Sequence, residues 1–211
     1  LHKAQDLIGS MPGVRIIVGD KRPICQAALY NSLAREATHD SLVLFCDDYT
    51  MDHEGWTEMV EHTVACLPGQ YGVGYLRDLM YPHFSTFPIL HRKTISLNTV
   101  GDFLPEYYPF LFGDTHWNEI GAMSMMILPS EASVSAQAET AHIHRFTDLK
   151  LHSRFFHELR PFRAQIAVDL IRLMRHVGRR RTVLILGPLV TVTNWGREID
   201  RHSGGQLRWT I

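Results

Sequence analysis

Two adjacent carboxylates, Asp47 and Asp48, follow an apolar run in the segment LVLFCDDYTMDHEGW, residues 42–56. The carboxylates of two adjacent residues repel each other when they lie close together, unless a turn exposes both to water or a cation lies between them. Carboxylate oxygens suit Mg²⁺ and Mn²⁺, which commonly retain waters and bind substrate phosphates. Paired acids are also common in surface turns, so the metal interpretation depends on which other residues come to the same place.

Further residues with suitable chemistry lie on either side of this pair. Asp20 ends the β-branched run VRIIVGD, where an acid can accept hydrogen bonds from a ribose or a base, or can simply begin a turn. Asp114 precedes a helical pattern and suits either a helix N-cap or a general base for a sugar hydroxyl. Beside it, His116 and Trp117 suit contacts with a sugar, although such residues more often lie at the surface and in the core, respectively.

Two histidines, His142 and His144, alternate in the segment AHIHR. In a strand they would share one face, where one imidazole could complete a metal site begun by carboxylates. A histidine pair by itself is more often structural.

The elements that would position these residues alternate in type along the first third of the chain. Apolar spacing predicts helices over residues 1–11, 23–38 and 55–66, and strands over residues 14–20 and 41–46. Short connections in this order indicate a parallel sheet covered by helices on both faces. Ligands of such sheets collect at the carboxyl ends of the strands, which is where Asp20 and the Asp47-Asp48 pair are expected.

The rest of the chain adds two strand-like stretches and a long helical segment, and the first stretch is GQYGVGYLRD, residues 69–78. FPILHR, residues 87–92, is typical of a strand, and residues 149–179 form an Arg-rich helical pattern interrupted near Pro161. We expect this helical segment to pack back on the domain, with a dimer contact or an anion site as alternatives.

Composition restricts the class of protein. Hydrophobic residues make up 45% of the 211 residues, and the net charge of −1 gives no electrostatic reason to expect nucleic acid or membrane as a partner. Three cysteines without CxxC spacing indicate reduced thiols, and the longest apolar run, residues 182–192, is too short to cross a bilayer. These features predict a globular protein of the cytoplasm without a transmembrane segment.

Taken in order, these motifs resemble the GT-A glycosyltransferases, specifically the family 2-like inverting enzymes of viruses and bacteria. The similarity covers residues 1–156, most of the chain. It rests on the strand that ends at Asp20, the helix that contains Asn31, and the DD…GW step from the LVLFCDD strand to Trp56. The segments PILHRKTIS, GDF, YYPFLFGDTHWNEIG and AHIH complete it.

The resemblance implies a fold and a reaction. Residues 1–156 would form an α/β domain of the Rossmann-like GT-A type, with a mostly parallel central sheet flanked by helices and a first strand upstream of Leu1. Residues 157–211 would form a helical, basic C-terminal arm. The enzyme would be a metal-dependent hexosyltransferase that moves a sugar, with inversion, from a nucleotide-diphosphate sugar to an acceptor hydroxyl.

The resemblance also implies roles for particular residues. Asp114 would be the catalytic base, and Asp20, Asn31 and Asp47 would bind the donor. Trp117 and His116 would contact the acceptor or the sugar. Asp48, Asp47 and His144 (or, less favoured, His142) would bind Mn²⁺ or Mg²⁺. The acceptor would be a glycan, a protein, a lipid or a modified base, and the C-terminal arm could join copies of the chain.

Two positions depart from the family pattern. Cys46 occupies the first position of the usual DxD motif, and Tyr30 precedes Asn31 where an arginine is frequent. A GT-A-like nucleotidyltransferase is one alternative, although it usually needs a basic glycine-rich phosphate loop, which the sequence lacks. A non-catalytic module that binds sugar nucleotides or glycans is the other.

Overall fold

The computed structural model describes residues 26–46, 48–98, 101–108, 112–136 and 149–176. Contacts divide the chain into one unit of residues 1–178 and a second unit of residues 179–211. The described residues all belong to the first unit. The helix predicted over residues 1–11 and the strand predicted over residues 14–20 lie outside them.

The described chain contains both helices and strands, as expected of an α/β protein. The helices are α1 (Gln26–Glu36), α2 (Trp56–Cys66), α3 (Arg92–Ile95), α4 (Gly113–Ser124), α5 (Leu149–Glu158) and α6 (Arg160–His176). The strands are β1 (Ser41–Val43), β2 (Tyr49–Met51), β3 (Val73–Asp78), β4 (Phe87–His91) and β5 (Ile127–Ala136). The predicted helices over residues 23–38 and 55–66 are thus confirmed in α1 and α2, and the predicted FPILHR strand is confirmed in β4.

The five described strands form one mixed sheet in the order β1-β4-β3-β5-β2. Strand β4 is antiparallel to both β1 and β3, β2 is antiparallel to β5, and β3 is parallel to β5. The mostly parallel sheet that we expected is therefore not what these strands form. The reason lies in residues 79–86, because eight residues between β3 and β4 are too few for the helical crossover that parallel neighbours need.

Three strands nevertheless run in a common direction. Both β1 and β3 are antiparallel to β4, which lies between them, so β1 and β3 share a direction, and β5 is parallel to β3. The carboxyl ends of β1, β3 and β5 consequently lie at one edge of the sheet, here called the carboxyl edge. The turn at Asp48, the end of β3 at Asp78 and the loop of residues 79–86 all lie at this edge.

Helices cover both faces of the sheet. On one face, α2 packs Val60 and Val64 against Leu76 and Phe87. The opposite face packs against α1, α4 and α6 in a second cluster whose buried members include Ala27, Val73, Leu90, Trp117, Ile120, Ile166 and Leu170. Alternate residues of a strand point to opposite faces, so all five residues of β4 are buried between these two layers.

Helices α5 and α6 form the last described part of the chain. Ile166 and Leu170 of α6 pack with Trp117 and Ile120 of α4, so α6 closes one side of the first unit. Among the described residues, none of the helices combines the length and the apolar character needed to cross a membrane.

Candidate functional site

Asp48 lies in the turn that follows β1 at the carboxyl edge. Its Oδ1 atom is buried, yet it accepts no hydrogen bond from the described residues. A buried carboxylate oxygen without a partner costs free energy, since it has lost water and gained nothing in return. Such an atom calls for a specific explanation, and a bound ion or ligand is one of the few available.

A second acid, Asp78, ends β3 at the same edge and is fully buried. Its Oδ1 accepts a hydrogen bond of 2.8 Å from the Met80 amide, and its Oδ2 accepts one of 3.4 Å from the Tyr49 hydroxyl. Burial, and then the negative charge of Asp78 and Asp48, raise the pKa of Tyr49 to about 12. The Tyr49 hydroxyl therefore stays protonated and links the acid turn to the end of β3.

Helix α4 carries Asp114 to this edge. Near its middle, the Oδ1 atom of Asn118 accepts a hydrogen bond of 3.1 Å from the Ser85 amide, in the loop at the carboxyl edge. Towards its C-terminus, Gly121 lies so close to Val73 and Ile127, the first residues of β3 and β5, that a Cβ on it would approach each of them within 3.1 Å. The helix thus runs from the carboxyl edge to the opposite edge, and Asp114 in its first turn lies at the carboxyl edge.

The local structure fixes the orientation of Asp114. The helix begins after Phe112, whose φ of 70° is in the left-handed region, so Asp114 is the second helical residue rather than the N-cap. Its Oδ1 accepts hydrogen bonds from the amide of Thr115 at 2.7 Å and from the Thr115 hydroxyl at 3.2 Å. Burial raises the pKa of Asp114 above its ordinary value, although the bonds from Thr115 act in the opposite direction. A carboxylate with a raised pKa is a stronger base once it is ionised.

Asn31, predicted to bind the donor, is buried beneath the loop of residues 101–108. Its Nδ2 donates to the Leu104 carbonyl at 2.7 Å, and its Oδ1 accepts from the Leu104 amide at 2.8 Å. A weaker contact of 3.3 Å joins Nδ2 to Glu106. Both ends of the side-chain amide are therefore occupied by the segment that leads towards α4.

Trp117 and His116, predicted to contact a sugar, are both fully buried. The indole Nε1 of Trp117 donates to the Phe103 carbonyl at 2.7 Å, which fixes the same loop that Asn31 holds. The imidazole of His116 lies edge-on to Tyr107, Tyr108 and Trp117, and neither ring nitrogen has a partner among the described residues. Burial, aided by the charge of Arg163, lowers the pKa of His116 to about 3, so the ring is neutral. In this conformation neither ring offers a face to a ligand.

A buried arginine, Arg163 of α6, fixes the outer side of α4. It pairs with Glu119, donates to the Tyr108 hydroxyl and the Phe156 carbonyl at 2.7 Å each, and lies 3.7 Å from the centre of the Phe156 ring. Arg160 makes a second, exposed pair with Glu119 at 3.0 Å. These contacts join α4 to α6 and so stabilise the helix that carries Asp114.

Several predicted site residues fall outside the described part of the chain. These are Asp20 in the expected donor site, Asp47 beside Asp48, and both His142 and His144 of the expected metal site. Within the described ranges, no group of three or more His, Cys, Asp or Glu side chains is arranged to hold a metal ion.

Sequence reasoning missed two features of the carboxyl edge. Asp78 ends a strand in the segment VGYLRD, which is the same pattern that singled out Asp20, so it could have been found. Ser85 and Thr86 also lie at this edge, in the loop before β4, but no motif marks them. Comparison of the chain with protein-family models, curated proteins and solved structures finds no match.

Proposed function

We propose that this protein is a metal-dependent glycosyltransferase that transfers a sugar from a nucleotide-diphosphate sugar to an acceptor hydroxyl. The observation that carries the proposal is the unpartnered, buried Oδ1 of Asp48 at the carboxyl edge, to which α4 also brings Asp114. Open α/β sheets bind ligands at the carboxyl ends of their strands. The resemblance of the motifs to GT-A enzymes supports the choice of reaction.

Asp48 is the residue that suits a divalent cation best, with Asp47 and His144 as further ligands. Its free carboxylate oxygen is a hard donor of the kind that Mg²⁺ and Mn²⁺ prefer. A cation bound there would offset the negative charge that develops on the departing nucleoside diphosphate.

Asp114 is proposed as the base that activates the acceptor. Its carboxylate takes the proton of the acceptor hydroxyl while that oxygen forms a bond to the anomeric carbon. The bond between the anomeric carbon and the diphosphate oxygen breaks, and the nucleoside diphosphate leaves with the electron pair. The hydrogen bonds from Thr115 occupy Oδ1, so Oδ2 is the atom proposed to receive the proton.

Asp48→Ala is the first test of the proposal. We expect calorimetry with UDP and GDP, with and without Mn²⁺, to show metal-dependent binding to the wild-type chain and loss of at least about tenfold in affinity in the variant. Asp40→Ala is the matched control, because Asp40 is an exposed acid just before β1, at the opposite edge of the sheet. Equal affinity of wild type and Asp48→Ala for all nucleotides would refute the metal site.

Donor hydrolysis and sugar transfer separate the remaining possibilities. Asp114→Asn should abolish transfer and retain donor binding, whereas a purely structural Asp114 would leave the transfer rate nearly unchanged. Preferential binding of a nucleoside triphosphate would favour a nucleotidyltransferase instead. Tight binding of sugar nucleotides without hydrolysis or transfer would favour a non-catalytic binding module.

A further inference from the structure

Buried polar side-chain atoms without partners are few among the described residues, and three of them belong to residues at the carboxyl edge. The five such atoms are Asp48 Oδ1, Ser85 Oγ, Thr86 Oγ1 and both ring nitrogens of His116. Native proteins satisfy the large majority of buried polar groups, so each exception needs a cause. Three exceptions in one place suggest a common cause.

The strand pairing brings Thr86 and Ser85 beside the acid turn. Strand β1 pairs with β4 from Ser41 opposite His91 onwards, and the Leu44 amide still donates to the Pro88 carbonyl at 3.0 Å. Continued for two more residues, this register would set Cys46 opposite Thr86. The ladder itself ends before that point, and the Thr86 amide donates to the Phe84 carbonyl in its own loop.

Aromatic contacts place the two segments together on the far side of the turn as well. The ring of Phe87, the residue after Thr86, lies 5.8 Å from the ring of Phe45 and 4.6 Å from the ring of Tyr49. Phe45 and Tyr49 are the aromatic residues on either side of Asp48 in the sequence. The residue that follows the two free hydroxyls thus packs against both flanks of the turn.

The chemistry of the three groups indicates what they bind. Two hydroxyls can each donate and accept, and a carboxylate oxygen accepts, which matches the hydroxyls of a sugar ring because these also donate and accept. A free anion would be repelled, since Asp48 and Asp78 make the neighbourhood negative. A neutral ligand rich in hydroxyls fits these groups best.

We propose that Ser85 and Thr86 form the subsite for the sugar ring of the donor, beside the Asp48 carboxylate. The inference rests on the proposed function for the identity of the ligand. The hydroxyl oxygens of Ser85 and Thr86 are both buried, although Thr86 as a whole is partly exposed. Contact of a ligand with either hydroxyl requires a shift of the loop before them, whose residues 79–83 are exposed.

The variants Ser85→Ala, Thr86→Val and their combination test the subsite. Without ligand, we expect unfolding temperatures equal to or above that of the wild type, because a buried hydroxyl without a partner costs free energy and its removal relieves that cost. Thr94→Val is the matched control: Thr94 is as fully buried as Ser85, but its hydroxyl accepts a 3.0 Å hydrogen bond from the Gly72 amide, away from the carboxyl edge. This control should lower the unfolding temperature and leave ligand binding unchanged.

Binding is measured in two ways, by calorimetry with UDP- and GDP-sugars against UDP and GDP, and by saturation-transfer NMR with free glucose, galactose, mannose and N-acetylglucosamine. In the double variant we expect about a tenfold loss of affinity for the sugar-containing ligand and unchanged affinity for the nucleotide alone. Equal losses for both would assign the hydroxyls to the diphosphate and overturn the sugar subsite. Unchanged sugar affinity, or a wild-type chain that binds neither free hexoses nor sugar nucleotides, would overturn it as well.

The same measurements distinguish this inference from the proposed function. If a free hexose binds and the double variant loses it, while no nucleotide binds to the wild-type chain, the sugar subsite stands and the glycosyltransferase proposal fails. If nucleotide binding depends on Asp48 and Mn²⁺ but the hydroxyl variants change nothing, the glycosyltransferase proposal stands and the subsite fails.

Discussion

Asn31→Ala separates a structural role of Asn31 from the donor-binding role that its sequence context predicts. The side chain is 1% exposed and makes two short hydrogen bonds with the backbone of Leu104, at 2.7 and 2.8 Å. Alanine removes both bonds and leaves the Leu104 amide and carbonyl without partners. Leu104 is itself buried, so water cannot readily replace the lost side chain.

The expected loss of stability follows from these two groups. Each buried polar group left without a partner costs about 1–3 kcal/mol, so we expect the free energy of unfolding to fall by about 3 kcal/mol. For a domain of this size, about 1 kcal/mol lowers the unfolding temperature by roughly 2–4 °C, which gives a decrease of roughly 6–12 °C. The weak contact with Glu106 adds little, because Glu106 is exposed.

Urea and thermal unfolding measure this loss, and Arg35→Ala is the matched control. Arg35 also joins α1 to the same loop, through a 3.7 Å ion pair with Asp102, but its side chain is 64% exposed. Exposed pairs contribute about 0–1 kcal/mol, so the control should remain near wild type. If Asn31→Ala keeps wild-type stability and loses nucleotide binding, Asn31 is a ligand residue and the structural reasoning is refuted.

Three further changes test other parts of the structure. Arg163→Met should lower the free energy of unfolding by about 3–5 kcal/mol in urea titrations, since it removes one of the two arginines paired with Glu119 and leaves the Tyr108 hydroxyl and the Phe156 carbonyl without their donor; a loss below about 1 kcal/mol would contradict this. Because burial raises the pKa of Asp114, the folded state binds that proton more tightly than the unfolded chain, so wild-type stability should fall as pH rises from the ordinary value of 3.8 through the raised pKa. Asp114→Asn should lack this fall. If the unfolding temperatures of the wild type and of Asp114→Asn follow the same pH profile, the raised pKa of Asp114 is disproved. Gly72 has a φ of +129°, and a Cβ on it would lie 2.8 Å from the Met126 carbonyl oxygen. Gly72→Ala should therefore lower the free energy of unfolding, measured by thermal unfolding, by about 2–5 kcal/mol. Wild-type stability of this variant would show that the backbone relaxes.

Element types were predictable where local pattern decides them. Helices α1 and α2 follow apolar spacing between breaks at proline and glycine, and the all-apolar β4 follows from burial on both faces. Strand directions were not predictable from such patterns, because a buried strand has the same apolar sequence pattern whether its neighbour is parallel or antiparallel. The length of the loop of residues 79–86 does indicate that β3 and β4 are antiparallel, since the loop is too short for a helical crossover.

Strand β5 was missed for a different reason. Its sequence, ILPSEASVSA, contains Pro129 and several small polar residues, which are poor strand formers. Its pairing with β3 shifts register between Tyr75 and Arg77, so the ladder accommodates an irregular strand that long-range pairing stabilises. Local propensity was overridden by tertiary contacts.

For the candidate residues, sequence reasoning indicated an edge of the sheet but not their contacts. The rule that ligands collect at the carboxyl ends of strands drew attention to Asp48, which lies in the turn after β1. The partners of Asn31 and Trp117 could not be foreseen, because Leu104 lies 73 residues from Asn31 and an irregular loop supplies both contacts. A pattern of residue types does not reveal which polar groups the backbone will occupy.

Hydrogen-bonding capacity separates the three acids that the described residues bring to the carboxyl edge. Both oxygens of Asp78 are occupied, by Tyr49 and by the Met80 amide, and the residue is fully buried. Asp114 has one oxygen held by Thr115. A cation that binds Asp78 or Asp114 would have to displace a hydrogen bond of that carboxylate or compete with it. Asp48 Oδ1 accepts no hydrogen bond from the described residues, so a cation there displaces none. Metal binding at this edge should therefore depend most on Asp48, and Asp78 should act by holding Tyr49 and the turn in place.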